Sequence, residues 1–434
     1  MEVVIGYDIN EYYAQISYAP EGGEPETLQF PSRNEGGNIE TALCKRPGVN
    51  QWFCGKEAVK KGVSGEGILL EHLWRLLAKQ ETVFIEKKEY RVSMLCNLFL
   101  GRTLDWALQR LEEIYEEPVR IKAMVLTAEP WDDKFRDMSE SLFGGLPVEK
   151  ENIFMQGHEE SLFYYLIKQP ERLLGYETGV FDLTGEKMIS YRVEMNHKTR
   201  PIVTTMEKEL VEELEKKKHY ASIMEHDRRL EELDLKLRDY AESFTRGRIV
   251  TALYLIGEGF GGDWYKESLK VLCRNRKVFA GNNLFGKGAC YTACERMWPS
   301  ETAEKFLFLG KDMLCYNVGI RMQCDEKEEY IPLLDAGTSW YEAKAETVFM
   351  MEKADTVELL ITPLDGSGTY TETIALPPMP KRPFRAFRFS LLAEMQSKTQ
   401  MLVRIRDEGF GDLYERLPVD VTYELVLGDG GENE

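Results

Sequence analysis

The nine residues Thr178-Gly179-Val180-Phe181-Asp182-Leu183-Thr184-Gly185-Glu186 restrict the possible folds more than any other stretch. A short apolar run, one acidic residue and a glycine turn form a buried strand that delivers a single carboxylate to a loop. Met1-Glu2-Val3-Val4-Ile5-Gly6-Tyr7-Asp8-Ile9-Asn10 repeats the pattern at the start of the chain. A third apolar run, Ala252–Ile256, enters Gly257-Glu258-Gly259-Phe260-Gly261-Gly262. Two strand-borne aspartates and a glycine-rich turn, far apart in sequence, can line one cleft where a metal or phosphate is met.

A chain of 434 residues exceeds one ordinary core and predicts two or three domains. Its 55 basic and 74 acidic residues give a net charge of −19, which argues against nucleic acid and an acidic membrane surface as partners. A small nucleotide needs only local donors and is not excluded. Eight cysteines occur with no CxxC; Cys290 and Cys294 are the closest pair. With only five histidines this argues against structural zinc and for reduced thiols in a cytoplasm. No basic segment followed by an apolar one opens the chain, and no run of about 18 apolar residues occurs, so neither a signal peptide nor membrane insertion is expected.

In order, strands are expected over 3–7, 12–18, 119–126, 153–154, 179–183, 188–195, 252–256 and 278–280. Helices are expected over 69–78, 95–115, 131–143, after His158-Glu159-Glu160-Ser161 through Tyr165 to Lys168, 264–272 and 289–297, with Asp263 as an N-cap. Met206, Leu210, Leu214, Leu230, Leu233, Leu237 and Tyr240 predict long amphipathic helices with charged outer faces. Beyond residue 306 the helical period gives way to eight short strands with turn signals, including an Asp365-Gly366-Ser367-Gly368 hairpin loop. That is the pattern of an all-β sandwich.

Taken together, an α/β region with two strand–Asp turns and a glycine-rich strand end, followed by a sandwich, resembles the Hsp70 chaperones of the actin, sugar-kinase and Hsp70 superfamily. Ile5-Gly6-Tyr7-Asp8-Ile9 resembles the first phosphate motif and Val180-Phe181-Asp182-Leu183 the second. Leu255-Ile256-Gly257-Glu258-Gly259 resembles the adenosine motif. Val125–Pro130 and Phe285–Ala289 resemble the segments of the two connecting helices. Phe306-Leu307-Phe308-Leu309 is similar to the interdomain linker, and Asn317–Ile320, Ile331–Leu334, Val357–Leu360, Leu376–Pro380 and Val403–Gly411 follow the sandwich in order.

The resemblance implies an actin/Hsp70-like ATPase domain with duplicated RNase H-like halves over 1–310 and an Hsp70 substrate-binding-like sandwich over 311–434. The family's helical lid has no counterpart after it. The resemblance further implies ATP or ADP with Mg²⁺ as cofactor. Asp8 and Asp182 would hold the metal, Asp8, Glu159 and Asp182 would organise metal and water, and Gly6, Gly185, Lys187, Gly257 and Gly259 would line the nucleotide. Val357 and Leu359 would grip an extended peptide.

The loops depart from the family. A phosphate cradle needs backbone amides brought close to anionic oxygens, which glycine permits. Asn10-Glu11-Tyr12 and Thr184-Gly185-Glu186-Lys187 stand where glycine-rich loops are expected. Glu11 and Glu186 would oppose a triphosphate, while Lys187 would offset Glu186. Ile189 replaces an aspartate, Val59 the catalytic lysine (Lys60 is adjacent), and Glu258 a glycine. A plain structural reading, Asp as cap and Gly as turn former, stands beside the nucleotide one, and Val357 and Leu359 equally suit a sandwich core. The sequence therefore predicts a degenerate nucleotide site on a protein that binds or scaffolds polypeptides, with nucleotide as a modulator. The rivals are an actin-like filament or cell-division scaffold and a weakly active ATPase.

Overall fold

The computed structural model describes residues 1–30, 37–79, 81–129, 139–213, 223–324, 327–351, 355–364, 366–380, 387–411 and 413–428. The chain divides into two compact units, Met1–Leu307 and Phe308–Glu434, against a sequence expectation of a break at 310.

The first unit holds two six-stranded sheets. One contains β1 (Glu2–Ile9), β2 (Tyr13–Pro20), β3 (Glu26–Thr27), β4 (Ile39–Glu40), β5 (Arg120–Ala128) and β6 (Ile153–Gly157), in the order β6-β5-β1-β2-β3 with β4 also on β2. The other contains β7 (Glu177–Thr184), β8 (Lys187–Asn196), β9 (Ile202–Glu213), β10 (Val250–Ile256), β11 (Lys277–Gly281) and β12 (Phe306–Phe308), in the order β11-β10-β7-β8-β9-β12. In both, the first strand pairs antiparallel with the second and parallel with a later strand (β5 or β10), which pairs parallel with the next (β6 or β11). One strand plan is used twice.

Five helices matter below: α1 (Val92–Tyr115), α2 (His158–Ile167), α3 (Ile223–Thr245), α4 (Lys266–Leu272) and α5 (Leu284–Met297). Two of them cross over. Helix α2 follows the first sheet, yet its Leu162 and Leu166 are buried with Val180, Tyr191 and Tyr254 of the second. Helix α5 follows the second sheet, yet Ala289, Cys290 and Ala293 are buried with Val4, Ala19 and Val125 of the first. Glycine makes the close approaches possible. A Cβ on Gly6 would lie 2.1 Å from the Gly286 carbonyl oxygen, and one on Gly288 would lie 1.9 Å from that of Ser161.

The second unit is two four-stranded antiparallel sheets around one core. They contain β13 (Tyr316–Cys324), β14 (Lys327–Leu334), β15 (Lys344–Met351), β16 (Thr356–Pro363), β17 (Tyr370–Ala375), β18 (Phe387–Met395), β19 (Gln400–Asp407) and β20 (Asp420–Val426). The orders are β14-β13-β16-β17 and β15-β18-β19-β20. Val318, Leu359 and Ile361 of one sheet share a core with Phe389, Leu391 and Val403 of the other.

Several expectations need correction. Met206 and Leu210 lie on strand β9, not on a helix. Their four-residue spacing and Glu/Lys flanks suit a helix, but pairing with β8 decides the outcome, a tertiary override of local propensity. Phe306–Phe308, expected at the interdomain linker, forms the edge strand β12, and the boundary between the two units falls within it. Gly286-Lys287-Gly288 lies inside α5, which begins at Leu284. Asp263 does not cap α4; the Asp234 carboxylate on α3 does, accepting from the amides of Glu267 and Ser268 at 2.8 Å each. The expected strand 385–391 is found as β18, with Arg385 outside the described residues. Also outside them are Pro130, most of the expected helix 131–143, Leu214, Asp365 and Lys381–Pro383.

Candidate functional site

Asp8 and Asp182 stand near the ends of β1 and β7 and are buried, 2% and 5% exposed. Their surroundings differ. His158 opens α2 directly after β6, and its Nε2–H donates to Asp8 Oδ1 at 2.9 Å. The His158 ring stacks on Phe285 with centroids 3.8 Å apart, which fixes its orientation. Burial pushes the imidazole pKa down, but the charge and hydrogen bond of Asp8 outweigh it and hold the value above the ordinary one. Among the described residues, Asp182 accepts from the Thr184 hydroxyl alone, at 2.6 Å. Burial raises its pKa to about 7; Thr184 and His158 oppose the rise, while Asp8 and Glu258 add to it.

Further charged groups converge here. Lys208 on β9 pairs with Glu129, just beyond β5, at 2.8 Å, and its ammonium lies 5.6 Å from the centre of the Tyr191 ring. Tyr191 is fully buried, its hydroxyl has no hydrogen-bond partner among the described residues, and burial with Asp182, Glu129, Glu159 and Asp8 nearby holds it un-ionised. His158, bonded to Asp8, and Lys208, paired with Glu129, thus bring two basic groups of the chain itself to carboxylates at the strand ends. Among the described residues, no group of three or more His, Cys, Asp or Glu is arranged to hold a metal ion.

The two hairpin turns are closed in the same manner. The Asn10 side-chain oxygen accepts from the amides of Tyr12 and Tyr13, at 2.8 and 3.0 Å. The Gly185 amide donates to Glu258 Oε1 at 2.7 Å. The Tyr12 ring covers Gly185, where a Cβ would lie 2.0 Å from it. Tyr13 reaches across to the Thr184 hydroxyl. Three amides of the kind a phosphate cradle uses are already occupied, one of them by a carboxylate. The arrangement does not fit a Mg²⁺-bound triphosphate.

The other expected residues fall as follows. Glu159 is half-buried in the first turn of α2. Gly6 packs against α5, where its lack of a side chain permits the helix–strand contact. Gly257 and Gly259 abut Leu183, with hypothetical Cβ atoms 2.4 Å from its carbonyl oxygen and 2.2 Å from its Cγ, so they too serve packing. Lys187 is exposed at the start of β8. Glu11 turns away to pair with Arg75 at 2.5 Å. Val357 and Leu359 are buried in the sandwich core, because the alternation of β16 aims them inward. Sequence reasoning missed His158, Glu129, Lys208 and Tyr191. A buried-strand neighbourhood for Tyr191 was the only available signal.

The chain belongs to the family described as a family of unknown function (DUF5716), C-terminal, whose model matches residues 24–311. Residues 313–427 match a second model, a domain of unknown function (DUF8552). No curated protein matches the chain. No helix among the described residues is long and apolar enough to cross a membrane.

Proposed function

We propose that this chain is an Hsp70-like protein that holds or scaffolds a polypeptide partner without efficient ATP turnover. Support for the ancestry is the twice-used strand order, with an aspartate near the end of each first strand and helices exchanged between the sheets, followed by a two-sheet sandwich. The observation that carries the loss of turnover is the Glu258 carboxylate on the Gly185 amide, an internal anion where the family resemblance puts a phosphate. Polypeptide holding is supported by β15. It ends its sheet, pairing with β18, and shows Val348 and Met350 to solvent at 49% and 58% exposure. An extended segment can add to such an edge through backbone hydrogen bonds, with alternate side chains supplying selectivity.

The test uses the full chain in two assays. Titration calorimetry with Mg-ATP should give no binding heat at micromolar concentrations, while Glu258→Ala, which frees the Gly185 amide, should gain binding. Size-exclusion chromatography with reduced, carboxymethylated lactalbumin should show co-migration that Val348→Lys with Met350→Lys weakens at least about tenfold, or about 1.4 kcal/mol. ATP hydrolysis that Asp182→Ala abolishes would overturn the loss of turnover. Sedimentable polymer that grows with concentration would replace polypeptide holding with filament formation.

A further inference from the structure

Strand β15 ends its sheet, and its register with β18 shows which backbone groups that pairing leaves open. The Met395 amide donates to the Ala343 carbonyl at 3.0 Å, so these two form a hydrogen-bonded pair one step beyond Lys344 and Glu394. Hydrogen-bonded and non-hydrogen-bonded pairs alternate along an antiparallel ladder. Ala345, Thr347, Phe349 and Met351 therefore bond to β18, while the amides and carbonyls of Lys344, Glu346, Val348 and Met350 point away from it. The side chains of these last four are also the exposed ones of the strand. Among the described residues, no strand pairs with this side of β15.

The opposite end of the same sheet is built differently. There the Leu427 amide donates to the Thr399 carbonyl at 2.7 Å, so β20 leaves open the groups of Asp420, Thr422, Glu424 and Val426. Three of those four side chains are polar, which is how a free edge is ordinarily protected. On β15 two of the four are Val348 and Met350, 49% and 58% exposed.

We propose that β15 pairs antiparallel with β15 of a second copy of this chain, joining the two sheets into one, with the two-fold axis at Val348. The inference rests on the reading of β15 as an edge that accepts a strand, and it adds the regulation of that edge. The second copy covers it until a held polypeptide takes its place.

The register follows from the open groups and the charges. Lys344, Glu346, Val348 and Met350 must meet the same set on the partner, and the central placements put the axis at Thr347 or at Val348. An axis at Thr347 sets Glu346 diagonal to the partner's Glu346, a like-charge contact within reach. An axis at Val348 sets Val348 against the partner's Val348 and Glu346 against the partner's Met350. The two Glu346 carboxylates then stand four residues apart along the strand, about 13 Å. Each exposed apolar side chain is covered by a surface that the same strand supplies twice, as a two-fold contact requires. Lys344, bonded to Glu394 at 3.2 Å, stays at the rim. Pairing one edge buries little surface, so the dimer belongs to the weak, exchangeable class.

The test uses the full chain. In sedimentation equilibrium from about 1 to about 100 µM, the mass should rise from one chain toward two and no further. Val348→Lys with Met350→Lys should weaken association at least about tenfold, since lysine on an edge blocks strand addition. Reduced, carboxymethylated lactalbumin should dissociate the dimer as it is held. Directly opposite Cα atoms of a hydrogen-bonded pair lie about 5.5 Å apart, inside the range that a disulfide spans. Mild oxidation of Val348→Cys should therefore link two copies of the tryptic peptide Ala345–Lys353, which holds no cysteine in the unsubstituted chain. Thr347→Cys, on the other sheet face and opposite the partner's Phe349, should give no such link. A monomer at every concentration that still holds lactalbumin would overturn the pairing and leave polypeptide holding in place. A dimer undiminished in the lysine variant, or a link at Thr347→Cys and not at Val348→Cys, would overturn it as well. Lactalbumin held by an intact dimer would overturn the regulation, and loss of both dimer and holding would overturn the reading of β15 as an accepting edge.

Discussion

Asp8 and Asp182 occupy matching places in two sheets of one strand order, each beside an antiparallel hairpin partner and a parallel strand. Asp8 lies in register with Gln15 and Thr127, Asp182 with Ile189 and Ile256. Paired residues share a sheet face, so one carboxylate has polar neighbours and the other apolar ones. The first also receives a buried histidine, the second a hydroxyl. The repeat preserves the backbone position of a carboxylate without preserving its charge environment. A strand-end aspartate is therefore evidence of the fold; the groups in register with it decide what the aspartate can do.

The sharpest way to break this comparison is His158→Ala. It leaves the Asp8 carboxylate buried without its partner, and removing one member of a buried pair costs about 3–5 kcal/mol. Denaturant unfolding near pH 6 should show that loss. Thr184→Ala removes only a hydroxyl donor from Asp182 and should cost about 1–3 kcal/mol. Equal losses in the two variants would mean that the aspartates are equivalent after all.

Titration separates them next. The Asp182 pKa rises from 3.8 to about 7 on folding, so between these values the folded chain holds a proton that the unfolded chain has released. Stability must then fall as pH rises from about 4 to about 7, by about 2–4 kcal/mol from this group. His158 acts in the same sense. Its contribution is fully present below its ordinary value of 6.5 and is lost as pH climbs through its raised folded value. Asp182→Asn should remove the decline between about pH 4 and 7, raise stability at pH 8, and leave the later decline from His158 in place. An unchanged pH profile in this variant would show that Asp182 is solvated and ionised in the folded chain.

The apolar flanks of Asp182 were legible in the sequence, where Ile189 was already the residue out of pattern. So were the strand–Asp turns themselves and the eight sandwich strands, because each depends on local alternation and turn residues. What could not be read was non-local. His158 reaches Asp8 from 150 positions away, and sequence reading gave the role to its neighbour Glu159. Lys208 was hidden by the helical spacing of Met206 and Leu210, which pairing with β8 overrides. The occupied turn amides were equally out of reach. Glu258 was noted as a missing glycine, but only the folded chain brings its carboxylate to Gly185, 73 residues earlier.

The smallest effect separates the two sheets by the residue two positions before each aspartate, Gly6 and Val180. Helix α5 lies so close on β1 that a Cβ at position 6 would meet the Gly286 carbonyl oxygen at 2.1 Å and the Cys290 amide nitrogen at 2.2 Å. Both are backbone atoms of one helix, so relief requires the helix to shift. Gly6→Ala should cost about 1–3 kcal/mol, toward the upper end. Val180 instead fills space under Leu162 and Leu166 of α2, where a side chain is required. Val180→Ala removes two methyl groups and should cost about 1.6 kcal/mol by loss of burial. The mechanisms differ even where the magnitudes approach each other. Shortening Leu284 or Phe285 cannot rescue Gly6→Ala, since neither is the obstructing atom, whereas a larger residue at Leu162 can partly refill the space left by Val180→Ala. Recovery of Gly6→Ala by side-chain trimming on α5 would show that the seam is set by side-chain packing and not by backbone contact.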